Sequence, residues 1–126
     1  MNKTQAEQFQ RTYTAEPAQV GSARRALAQA LDGHPAADDA TLVASEFAAN
    51  AVLLSASRDG REFTLRAEIT ARCVHIEVSD RGGLWQCRAY RDGRPHGLSI
   101  VDTITRRDWG IYSNANGRTA WARITT

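Results

Sequence analysis

The chain has 126 residues and a mass of 13.8 kDa, with 42% apolar and 24% charged side chains; this describes one domain spanning residues 1–126, large enough to bury a single core without disulfide or metal staples, and excludes multidomain and fibrous architectures. Sixteen basic against fourteen acidic side chains give a net charge of +2, too small for a dedicated nucleic-acid binder. Fifteen of the basic residues are arginine and the other is Lys3, so a phosphate loop of the GxxxxGK[ST] kind and Schiff-base chemistry inside the fold are both excluded.

Phe9–Thr14 is short and rich in Thr and Tyr, and reads as a strand leading into Glu16-Pro17. Proline suits the first helical position because its missing N–H has no intrahelical partner there. From Pro17 to Leu31 the apolar residues Val20, Ala23, Leu27 and Leu31 recur every three to four positions, which predicts an amphipathic helix stopped by Asp32-Gly33-His34-Pro35. Arg24 and Arg25 lie toward its polar side, either as solvated charges or as part of a partner surface.

A second helix is predicted from about Ala37 to Ala56, with Asp38 and Asp39 favourably placed at the positive end of its dipole. At about 100° per residue, Val43, Phe47, Ala51 and Leu54 share the buried face, and Glu46 and Asn50 share one of its edges. Glu46 is then either a solvated helix glutamate or a carboxylate reaching into a half-buried cleft from a rigid support.

After Ser57-Arg58-Asp59-Gly60 the period changes to two. Phe63, Leu65, Ala67 and Ile69 alternate with polar residues, as do Val74, Ile76 and Val78, which predicts two antiparallel strands joined at Ala71-Arg72. Parity puts Asp80 on the inward face with Val78. An inward carboxylate needs donors, whether it caps its own turn or serves a ligand. Gly82-Gly83 follows, allowing a tight turn or close approach of a ligand.

Arg81 to Pro95 has no periodicity and reads as a long loop, a lid over about 81–96. It holds four arginines, Arg81, Arg88, Arg91 and Arg94, against one acid, Asp92, so positive charge concentrates there. Gly97–Thr105 restores a helical pattern with Leu98, Val101 and Ile104 on one face and Gly97 at the N-terminal end, where free N–H groups attract anions. Trp109–Ser113 and Arg118–Thr125 read as a hairpin turning at Asn114–Gly117. The predicted class is α+β: a two-layer sandwich, its sheet mixed or mostly antiparallel, with three helices on one face. Cys73 and Cys87 have no metal-ligand spacing, and Met1–Gln10 shows no secretory pattern, so a reduced, cytoplasmic setting is expected.

The order of four motifs carries more than any one of them. Ser45-Glu46-Phe47-Ala48-Ala49-Asn50-Ala51-Val52, Val78-Ser79-Asp80-Arg81-Gly82-Gly83, His96-Gly97-Leu98-Ser99-Ile100-Val101 and Gly117-Arg118-Thr119-Ala120-Trp121-Ala122 together resemble the GHKL ATPase superfamily. Within it the chain is most similar to the anti-sigma-factor serine/threonine kinases and their actinobacterial relatives, and the resemblance covers nearly all of it. It implies the Bergerat ATP-binding fold, with ATP and Mg²⁺ as cofactors. Asn50 would hold Mg²⁺, Glu46 would be the general base, and Asp80 would accept the adenine amino group, with Gly82 allowing close approach. Thr119 would lie near the adenine, and the backbone of Gly97, Leu98 and Ser99 would meet the phosphates.

The implied partners are a sigma factor and a STAS-type anti-sigma antagonist as phosphorylation substrate, with a homodimer common among such proteins. The sequence departs from the pattern at Leu53-Leu54, where a polar residue is usual, in a short lid, and at Pro95-His96-Gly97, where proline stiffens the hinge. The competing expectation is a non-catalytic nucleotide-binding module that switches partners. A nucleic-acid domain is disfavoured by the low net charge and by the lack of a visible aromatic platform.

Overall fold

A computed structural model of the protein describes residues 6–55, 61–80, 98–114 and 117–126. The elements in chain order are β1 (Glu7–Thr14), α1 (Pro17–Ala30), α2 (Ala37–Ser55), β2 (Glu62–Thr70), β3 (Cys73–Asp80), α3 (Leu98–Thr105), β4 (Trp109–Asn114) and β5 (Gly117–Thr125). Each corresponds to an element expected from the sequence, with ends shifted by two residues or fewer. The lid at about 81–96, Cys87, Gly82 and Gly97 lie outside the described residues.

The five strands form one sheet in the order β1-β2-β3-β5-β4, and every neighbouring pair is antiparallel. The fold is therefore α+β with an antiparallel sheet, the second of the two arrangements that the sequence allowed. Alternation decides which face is covered. Phe63, Leu65, Ala67 and Ile69 of β2, Val74, Ile76 and Val78 of β3, and Ala120, Ala122 and Ile124 of β5 are buried in one core with Leu27 of α1, Val43, Phe47 and Ala51 of α2, and Val101 of α3. Burying these apolar side chains on one face is what holds the helices to the sheet.

α1 begins as expected at Pro17, with Glu16 extended (φ −125°) before it. The turn after α1 needs Gly33 (φ +82°), a conformation that side chains with a Cβ disfavour. His34 then fixes the start of α2. Its Nδ1 accepts the Ala36 N–H at 3.0 Å, so its Nε2 carries the proton and donates to the Thr70 carbonyl at 2.7 Å. That pair of bonds pins the beginning of α2 to the β2–β3 turn.

α3 closes with Arg106 and Arg107 both at positive φ, 57° and 70°. Arg107 N–H reaches the Asp102 carbonyl at 2.9 Å and Arg106 N–H the Thr103 carbonyl at 3.3 Å, the bonding of a Schellman cap without its usual glycine. Asp102 also accepts from the Trp109 indole at 2.9 Å, which docks the start of β4 on the helix.

The open face of the sheet is polar with an aromatic strip. Trp121 stacks on His75 with centroids 6.1 Å apart, and Tyr112 is 51% exposed. The sequence shows no aromatic platform because these rings come from three strands, and only the pairing register puts them on one face.

Candidate functional site

The candidate site is built at one end of the sheet, and two helical measurements locate α2 relative to it. His34 ties the first turn of α2 to the Thr70 end, and the Phe47 ring lies 6.5 Å from that of Trp109, which pairs with Ala122 and through it aligns with Ile76. The helix therefore travels in the direction of β3. At about 1.5 Å per residue Asn50 lies roughly 20 Å beyond Ala37. At about 3.3 Å per residue Asp80 lies roughly 23 Å beyond Cys73. With Phe47 at the level of Ile76, the turn carrying Glu46 and Asn50 lies over the half of the sheet that ends in Asp80, and Asp80 itself is about 13 Å further along β3 than Ile76.

Glu46 and Asn50 are half-buried at the edge of the helix face, between the buried Val43, Phe47 and Ala51 and the 64% exposed Leu53. Asn50 already takes part in an interaction within the protein. Among the described residues, no three His, Cys, Asp or Glu side chains gather as a metal cluster. Mg²⁺ does not require one, since it is commonly held by one or two protein oxygens with phosphates and water.

Asp80 faces the helices, as parity predicted, and it is buried. Arg118 is a donor to it. The register pairs Asp80 with Arg118 across β3 and β5, and the Arg118 Nη2 donates to Asp80 Oδ2 in an ion pair whose side chains are 3% and 1% exposed respectively. Sequence reasoning asked which donors Asp80 would find and missed this one. The signal was present, because Ala120, Ala122 and Ile124 alternate inward, which makes Arg118 the next inward residue of β5.

The same count moves Thr119. Expected beside the base with Asp80, it lies on the opposite face, where its hydroxyl is 3.0 Å from that of Ser79. Neighbouring residues on a strand point to opposite sides, so Arg118 and Thr119 cannot both share the face of Asp80. Leu98 is buried in the core and Ser99 is exposed, its carbonyl accepting from Thr103 Oγ1 at 3.1 Å.

One further residue joins the row. Tyr13 of β1 pairs with Phe63, which pairs with Asp80, and the Tyr13 and Phe63 rings stack at 5.4 Å. The Tyr13 hydroxyl is buried and makes no hydrogen bond among the described residues. A buried hydroxyl in that condition is uncommon, and here it lies on the same inward row as the ion pair. Tyr13 was legible in the sequence only as a strand residue.

No protein-family model matches the chain, and no curated protein matches it in sequence. Among the described residues no helix is long and apolar enough to cross a membrane.

Proposed function

We propose that this chain is an ATP-binding regulatory protein of the anti-sigma-factor type, a GHKL-class domain with the Bergerat fold that phosphorylates a STAS-type antagonist on serine or threonine and also binds a sigma factor. The single observation that carries the reading is Asp80: a buried carboxylate on the helix-covered face, at the end of the central strand. The order of the four motifs supports it further.

The residues present fit a nucleotide in part. Asp80 would accept the exocyclic amino group of the base, a contact that a carboxylate makes and an apolar residue cannot. The Tyr13 hydroxyl, in the same row and without a hydrogen bond among the described residues, would be a further polar group for a ligand that reaches it. Asn50 offers a neutral carbonyl oxygen of the kind that Mg²⁺ accepts. ATP bound with Mg²⁺ would supply the transferable phosphoryl group. Glu46, half-buried on a rigid helix, would take the proton of the substrate hydroxyl at a carboxylate oxygen.

A second reading, a nucleotide-dependent partner switch without phosphate transfer, is favoured by the occupation of Asp80 by Arg118. Incubation with radiolabelled ATP, Mg²⁺ and the cognate antagonist separates the two. Transfer by the wild type that disappears in Glu46→Ala supports the kinase; nucleotide binding with no transfer by the wild type leaves only the switch.

A further inference from the structure

We propose that Arg118 is an internal competitor for Asp80: its guanidinium takes the position that the amino group of a bound base would need, and so sets the affinity of the site. The inference rests on the nucleotide reading above.

The geometry is direct. Arg118 stands opposite Asp80 on the adjacent strand, on the same face, and donates to its Oδ2. With the two side chains 3% and 1% exposed, an incoming group cannot reach that oxygen until the guanidinium moves. The chemistry is also shared. A guanidinium nitrogen and the amino group of a purine are both planar N–H donors, so each satisfies the same acceptor and excludes the other. They differ in charge. Both bonds to the carboxylate are charge-assisted, but only the guanidinium also brings the opposite charge, so exchange of it for a neutral base lowers the net affinity.

The strand start is suited to such an exchange. Arg118 follows Gly117, whose φ of +145° is open to glycine and to few other residues, and forms with Asp80 the terminal pair of the β3–β5 ladder. Movement of a side chain at that end of the ladder leaves Ala120, Ala122 and Ile124, further along the strand, in the core. Without a ligand the pair keeps a buried carboxylate neutralised, so the fold does not depend on nucleotide to satisfy Asp80.

Isothermal titration of the full chain with MgATP tests this in the wild type, Arg118→Met, Arg118→Gln and the double variant Asp80→Asn/Arg118→Met. Arg118→Met is expected to bind at least tenfold more tightly than the wild type, equivalent to about 1.4 kcal/mol. Arg118→Gln, which keeps a neutral donor for Asp80, falls between them and carries the comparison if the methionine variant does not fold. The double variant loses the gain. Equal or weaker binding by both single variants, while binding is still lost in the double variant, overturns the competitor role and leaves the nucleotide reading standing. Failure of all four to bind MgATP overturns both.

Discussion

Breaking the Asp80–Arg118 pair from either side should be among the most damaging single changes in this domain, and breaking it from both sides should be much milder. The side chains are 1% and 3% exposed, so the solvent screening that reduces surface ion pairs to at most about 1 kcal/mol does not operate. Asp80→Asn takes the opposite charge from a buried guanidinium and Arg118→Met takes it from a buried carboxylate, each at a cost of about 3 to 5 kcal/mol. Unfolding entropy of about 2.1 cal/mol/K per residue over 126 residues is about 0.26 kcal/mol/K, so each single variant should melt about 11 to 19 °C below the wild type. The double variant Asp80→Asn/Arg118→Met holds no buried charge and should recover most of the loss, with a coupling of at least about 2 kcal/mol. Calorimetric melting combined with urea unfolding of the four proteins measures the cycle. Single losses below about 1 kcal/mol that simply add in the double variant would refute the claim that this is a desolvated pair.

Two other substitutions probe the sheet and the helix edge. A Cβ on Gly110 would come 2.9 Å from Trp121 Nε1 and 3.2 Å from its Cε2, so Gly110→Ala must displace a rigid indole from the open face and should cost about 1 to 3 kcal/mol in urea unfolding, with a shift in tryptophan emission. Glu46→Ala removes a half-buried helix carboxylate that forms no part of the apolar core, and alanine is the better helix former, so its melting temperature should stay within a few degrees of the wild type while phosphate transfer to the antagonist is lost.

The elements were legible because each is written in local periodicity. The two-residue alternation of Phe63–Ile69 and Val74–Asp80 named both the strands and their buried face, and the placement of Glu46 and Asn50 at the edge of the α2 core face followed from the angle between successive residues. Long-range pairing is not written that way. That β3 lies against β5 rather than β4 depends on which strands reach each other after the intervening chain, and only this pairing brings Arg118 to Asp80 and turns Thr119 to Ser79. The aromatic strip of His75, Trp121 and Tyr112 and the position of Tyr13 in the Asp80 row were hidden for the same reason. The chain's shortage of lysine, which excluded a phosphate loop, also leaves arginine as the cation for structural work in the core, where a planar guanidinium pairs with a carboxylate better than an ammonium does.

The central claim is that Asp80 is the recognition group of a nucleotide site, and the comparison of Arg118→Met with Asp80→Asn/Arg118→Met in MgATP tests it most directly, since the two proteins differ only in the group at position 80. The account predicts saturable binding and a ligand-induced rise in melting temperature for the first, weaker binding for the wild type at millimolar MgATP, and at least about a tenfold loss in the double variant. Equal binding by the two variants, or no thermal shift in any of these proteins, would contradict it.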